Sequence, residues 1–260
     1  MAEQGTVDAL REAGAADRLD TEGPVHHGIK LRFAGERHRI DFPALIGGRT
    51  VTSYARTETV RDLVGFQPVG GPPLLSDAQA PAVVKAESGR PVVRFRHEGR
   101  ERRLTCDRVA GCDGSHGVAR DAFPTEASRT YARHCPYSWP GILADVLPSR
   151  DELIYARGER GCAPHGRRPP CPITAESVTP MRSHIHEPMR RGRLLLAGGA
   201  AHTVRPTGAK GLDFAVSDVR VLAPAFAVLH RTASGQLLDG CFELSLARVG
   251  QAPPVLVRHD

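Results

Sequence analysis

Apolar and polar residues alternate along "GIKLRFAGERHRIDF", residues 28–42, on both sides of Ala34, Gly35 and Glu36. That period predicts a β-hairpin with one solvated face. The same alternation returns in "PVVRFRHEGRERRLTCDRVAGC" from Pro91, a second hairpin that ends in a small apolar strand and delivers "DGSHG". In "TVDALREA" the spacing is helical at Val7, Leu10 and Ala13, with Gly14 placed as a stop. "TVTSYART" reads as a strand leading into a helix near Thr57, where Glu58 favours the N-terminus, and the prolines and glycines of "VGFQPVGGPPLL" end it. "YSWPGILADVLP" and "DELIYARGERGC" read as further strands, and "CAPHGRRPPCP" as a loop. Near the C-terminus an apolar run feeds a glycine-rich loop and then a helix in "GRLLLAGGAAHTVRPTGAKGLDFAVSDV". "SDVRVLAPAFAVLH" continues with helical spacing interrupted at Pro224, "SGQLLDGCFELSLARV" is a second helix, and "GQAPPVLVRHD" has no helical character.

With 260 residues, 40% of them hydrophobic, the chain can bury a sizeable core as one large domain or two small ones. No apolar run approaches the length of a bilayer span, and "MAEQGTVDAL" lacks the basic and apolar regions of a secretory signal, so the expectation is a cytoplasmic protein away from the membrane. The six cysteines show no C-x-x-C pair and read as reduced thiols. His184, His186 and Glu187 in "SHIHEP" could together ligate a metal, but no second cluster has matching spacing, and no metal is expected. A net charge of +6 admits a nucleic-acid partner, yet all but three of the 35 basic residues are arginine, scattered without a stripe or interleaved aromatics. That pattern fits GC-rich coding, and no nucleic-acid partner is expected.

Two glycine-bearing loops carry the chemistry: "AGCDGSHGVAR" from Ala110 and "AGGAAHTVRPTGAKGLD" from Ala197. Glycine at 198, 199, 208 and 211 suits a place where a ligand or a strained turn needs room, and a strand-loop-helix unit aims free N–H groups at the loop. In these loops, and in "EQGTVDALREAG", "TVTSYARTE", "VTPMRSHIHEPM" and "PTGAKGL", the chain resembles the flavoprotein aromatic hydroxylases up to about Leu244.

The resemblance implies an α/β fold: residues 1–125 a partial FAD-binding domain with inserted hairpins, 126–190 a shortened mixed-sheet substrate domain, and 191–260 the flavin-contacting loop and C-terminal helices. The cofactors it implies are FAD and NAD(P)H. Asp113 and Gly114 match a motif shared by FAD and NAD(P)H contacts, His116 and Arg120 match positions that help hold the reduced nicotinamide cofactor, and Arg182 matches another cofactor-side position. The alternative for Asp113 is that it only shapes a turn. Arginine and histidine suit a phosphate-bearing ligand through charge-assisted hydrogen bonds. Gly211, Leu212 and Asp213 match the helix start that faces the flavin, whose N–H groups and dipole would stabilise a reduced, anionic ring. For the substrate, Tyr155 matches the tyrosine that promotes phenol ionisation and Arg168 the arginine that pairs with a carboxylate. Pro206 matches a proline whose carbonyl contacts the substrate hydroxyl, and His26 a histidine at the end of a proton path to solvent.

Several positions depart from the family pattern. Asp213 stands where asparagine is usual, Gly199 where an aspartate contacts the ribityl chain, Arg56 where a glutamine lies near the flavin, and Gly166 where a serine donates to the carboxylate. The chain begins past the family's βαβ unit with its G-x-G-x-x-G loop, so the dinucleotide-binding unit is missing from the expected fold. Strands between Pro172 and Ala175 and the final helices are also expected to be absent. Losing several partners at roughly 1 kcal/mol each should weaken FAD binding by orders of magnitude. Two functional readings follow. One is an FAD-dependent monooxygenase that hydroxylates a phenolic acid such as 4-hydroxybenzoate with NAD(P)H and O2, impaired in this form; the other is a non-catalytic fragment or weak ligand-binding module. A small aromatic acid is the expected partner, and the resemblance allows a homodimer.

Overall fold

The computed structural model describes the chain except for residues 67–69, 88, 145–151, 159–160, 165–172, 206–209, 233 and 251–260. It divides into two compact units, Met1–Gln67 with Tyr137–Pro180, and Pro68–Pro136 with Met181–Asp260. Two long strands, Arg129–Ala144 and Ile173–Glu187, carry the chain from one unit to the other.

In the first unit the predicted hairpin forms from Gly28–Phe33 and Glu36–Asp41. Its two turn residues, Ala34 and Gly35, both take positive φ, 51° and 81°, which matches the twist of the strands they join. Strand Leu153–Gly158 pairs in parallel with Gly28–Phe33 and antiparallel with Gly161–Pro164, giving a four-stranded mixed sheet. Here the structure corrects one expectation: Ala163 and Pro164, read as loop, belong to that last strand, as does Cys162, where the strand and loop readings met. It lies at the sheet's edge, where a proline without an N–H breaks no ladder. Helix Gln4–Glu12 stops where predicted, with Gly14 at φ 74° donating to the Arg11 carbonyl. A short helix, Asp17–Glu22, was not foreseen. Its Arg18 holds Glu22, Glu58 and Asp62 within 3.1 Å, tying it to the helix Arg56–Gly65.

The second unit opens with an antiparallel meander, Gln79–Val84, Val92–His97 and Arg100–Thr105. The first of these strands, not predicted from the sequence, contains a proline. The register shifts between Gln79 and Ala82, so Pro81 sits at an irregularity where no ladder bond is needed. Strands Val109–Gly111 and Leu194–Leu196 pair in parallel, and the three leucines are fully buried. Each contributes about 2 kcal/mol of hydrophobic stabilisation. Helices Lys210–Thr232 and Gln236–Gly250 cover them with Leu222, Ala225, Leu238, Phe242 and Val249. The first helix runs unbroken through Pro224, against expectation. Pro224 forgoes one N–H bond on the exposed side, while Leu222 and Ala225 keep the opposite face buried. Among the described residues no helix is long and apolar enough to cross a membrane.

Candidate flavin site

Both glycine loops leave the same end of the parallel pair, because Leu196 stands opposite Gly111 at the strands' C-terminal ends. That is the edge at which parallel α/β sheets receive ligands. Gly111 is needed for packing, since a Cβ there would lie 2.3 Å from the Ala119 Cβ. The loops then touch: a Cβ on Gly199 would come within 3.2 Å of the Gly114 Cα. Gly198 takes φ 57° and would crowd Ala215. Glycine at 198 and 199 therefore serves the turn and the loop-loop contact, whereas Gly211 is exposed with nothing within 4 Å of a built Cβ. Of the four glycines, only Gly211 is described as bare main chain open to a ligand; Gly208 lies outside the described residues.

The turn after Val109–Gly111 is held by Asp113, whose Oδ2 accepts from the Ala119 N–H at 2.9 Å. A Cβ on Gly117 would meet that carboxylate at 1.9 Å, so the loop is wound tightly about it. Of the residues assigned to nicotinamide contacts, Arg120 donates to the Ser115 carbonyl and lies 3.0 Å from His184 Nε2. Arg182 lies 3.3 Å from His116 Nε2. Two segments distant in sequence, His116 with Arg120 and Arg182 with His184, are thus brought together at one glycine loop. His184 is pushed down to about 4 by burial and by the charges of Arg120, with His186, His202 and Arg182 adding to it. Burial and Arg120 also lower His186. Its Nδ1 lies 3.3 Å from Thr130 Oγ1, its ring edge meets Phe123, and its Nε2 is buried without a hydrogen bond. Among the described residues, no three His, Cys, Asp or Glu side chains gather to hold a metal.

A residue that sequence reasoning missed orders the second loop. Asp218, in helix Lys210–Thr232 and 3% exposed, accepts through Oδ2 from the Gly198 N–H and bonds His202 Nε2, each at 2.8 Å. Burial raises its pKa, but the hydrogen bonds and charge of His202, the Gly198 N–H and Ser245 more than offset this and hold it below the usual carboxylate value. Asp218, Leu222 and Ala225 follow i, i+4, i+7 spacing, so a charge in the core-facing stripe was the available signal.

At the helix start, Leu212 is half-buried and Asp213 buried, its carboxylate in the first turn where the dipole favours negative charge. In the first unit, His26 is 7% exposed with Nε2 2.9 Å from Ser53 Oγ, Arg56 is exposed at its helix start, and Tyr155 is half-buried on its strand opposite Leu31. Gly166, Arg168 and Pro206 lie outside the described residues.

Adjacent parallel strands that end in two touching glycine loops, beside an exposed helix start, make the ligand-receiving edge of an α/β unit. A family model described as an FAD binding domain matches residues 1–170 and 166–251. The chain is 35% identical to p-hydroxybenzoate hydroxylase of Acinetobacter baylyi, over 96% of this chain and 72% of that protein. Among solved structures it is similar to p-nitrophenol 4-monooxygenase from Pseudomonas putida at TM-score 0.72 and 16% identity, covering 94% of this chain and 74% of that one. It is also similar to aklavinone-11 hydroxylase in a ternary complex with FAD and aklavinone, at TM-score 0.71 and 18% identity over 92% and 57%. These two likenesses concern the fold. The chain belongs to the family of FAD-dependent aromatic hydroxylases.

The residues present fit the ring-bearing end of FAD. Gly211 is exposed with open space where a side chain would stand, so a ring can approach the main chain there, and the N–H groups of the helix start suit an anionic ring edge except where the Asp213 carboxylate already sits.

Proposed function

We propose that this chain carries the flavin-ring and substrate portion of a monooxygenase that hydroxylates a phenolic acid, such as 4-hydroxybenzoate, at the expense of NAD(P)H and O2. The observation that carries the reading is the gathering of Arg120, Arg182, His116 and His184 against the glycine loop 113–117, which itself abuts Gly199. Two guanidiniums beside a histidine kept neutral make a cationic surface suited to the phosphates of a nicotinamide dinucleotide. The identity to p-hydroxybenzoate hydroxylase supports a phenolic acid substrate.

FAD, when bound, supplies the redox chemistry and the activation of oxygen. This chain's own residues bind and orient. Gly211, Leu212 and Asp213 would hold the ring edge, and Tyr155 would hydrogen-bond the phenol and promote its ionisation, its hydroxyl giving up its own proton as it takes the phenol's. Arg168 would pair with the substrate carboxylate, Pro206 would direct its carbonyl to the substrate hydroxyl, and His26 would pass the proton on through Ser53, its observed partner.

Asp213 favours a second reading, a module that binds ligand without turnover. A buried carboxylate already occupies the positive end of the helix and opposes further negative charge there. One experiment separates the two. FAD is titrated into purified protein while the flavin absorbance is followed, and NADPH oxidation is then measured with and without 4-hydroxybenzoate. Saturable binding with substrate-dependent oxidation supports the monooxygenase; saturable binding without it supports the module; no binding contradicts both.

A further inference from the structure

The hairpin of the first unit carries a block of four cations on one sheet face. Arg32 stands directly opposite Arg37, and Lys30 opposite Arg39. Like charges facing each other across an antiparallel pair are destabilising. Two carboxylates answer only one of these rows. Glu152 lies 3.2 Å from the Lys30 ammonium and 2.6 Å from the Arg39 guanidinium, and Asp41 also pairs with Arg39. Among the described residues, neither Arg32 nor Arg37 has an ion pair, and the Arg32 Nε is buried without a hydrogen bond. A buried donor of a charged group left without an acceptor is costly. Beside these side chains is a cavity of about 220 Å³, lined also by Ile154, which is only 4% exposed.

We propose that this cavity binds a phosphate dianion between Arg32 and Arg37. Four cations against two carboxylates leave an excess of two positive charges, which a dianion balances and a monoanion does not. The guanidinium fork matches phosphate oxygens two at a time, and the buried Arg32 Nε gains its missing acceptor. The site is independent of the flavin reading, since every residue named here is held by the hairpin and its parallel neighbour. A second like-charge pair, Arg94 opposite Arg103 in the meander, provides an internal control. Both of its arginines are exposed, and no nitrogen of either is buried without a partner.

The test is thermal unfolding of the purified chain with inorganic phosphate against potassium chloride at equal ionic strength, which removes general screening. Wild-type protein is expected to show a saturable rise in Tm with phosphate. Arg37→Gln should weaken that response at least about tenfold, the loss of a charge-assisted bidentate contact. Arg94→Gln should leave it unchanged. Arg37→Lys, which keeps the charge and loses the fork, should fall between and covers the case in which Arg37→Gln does not fold. Adenosine 5′-monophosphate in a parallel arm distinguishes sources: tighter binding than inorganic phosphate identifies a phosphomonoester, and equal binding free phosphate. No phosphate response beyond that of matched chloride, or an equal loss in Arg94→Gln, overturns the proposal.

Discussion

Leu194, Leu195 and Leu196 are buried in one unit in a cluster with residues of two helices, while among the described residues the buried cluster of the other comprises Ala2, Val7, Leu10, Ala16, Leu19 and Tyr54. The smaller core is supplemented from outside. Arg18 bridges three carboxylates, and the Tyr54 hydroxyl donates to Asp62 at 2.6 Å. Burial of apolar area is insensitive to salt, whereas half-exposed ion pairs are screened by it. The glycine loops, where placement to within an ångström matters, grow out of the leucine-packed unit. Precise loops on a rigid scaffold are the usual division of labour in enzymes.

Breaking the larger core should have the greatest effect. Leu195→Ala leaves a cavity in a fully buried position and should lower unfolding free energy by about 3–4 kcal/mol, read by urea denaturation. Next is Asp218→Ala, which strands the Gly198 N–H and His202 in a buried site. A loss of about 2–3 kcal/mol is expected, and FAD affinity should fall with it, because the loop 198–202 loses its anchor.

Acid should act on the same unit in two stages. His184 is neutral in the folded state down to about 4 but protonates near 6.5 when unfolded, so stability is full above 6.5 and declines as pH falls toward 4. His184→Gln should flatten that slope in a pH series of melting curves. Asp218, held low, contributes stability above its ordinary value near 3.8 that is lost only as pH drops further, through its folded pKa. The smallest effect belongs to the other unit. Arg18→Gln should lower Tm slightly in dilute buffer and by still less in 0.5 M salt, a difference that scanning calorimetry can resolve.

Much of the local structure was written in period and punctuation. Alternation is clear in the first strand of the hairpin 28–41 and weaker in the rest of it and in the Val92–Thr105 ladder, where Ala34-Gly35 and Glu98-Gly99 supply the positive φ of the turns. Three prolines that stand within regular elements do so for different reasons. Pro164 is tolerated at an edge, Pro81 at a register shift, and Pro224 on the exposed side of a helix otherwise held by its buried face. The glycine loops were evident in the chain, but the causes behind them were not all the same. Gly198 and Gly199 answer to neighbouring backbone and Ala215, and only the three-dimensional approach of Gly114 reveals it. Asp218 escaped because its partners lie 16 and 20 residues away, although a carboxylate within an apolar helical stripe was already visible. The pairing of Arg120 with His184 and Arg182 with His116 spans more than 60 residues, a distance no local pattern encodes.

Gly211→Leu offers the most direct measurement, with flavin binding and thermal stability followed on the same sample. Because the space beyond Gly211 is open and leucine is a good helix former, Tm should stay level or rise slightly. FAD affinity should nevertheless fall by at least about tenfold, since the new side chain stands between the ring and the main chain it is proposed to lie against. Undiminished FAD binding by this variant would contradict the placement of the flavin against the main chain before Leu212.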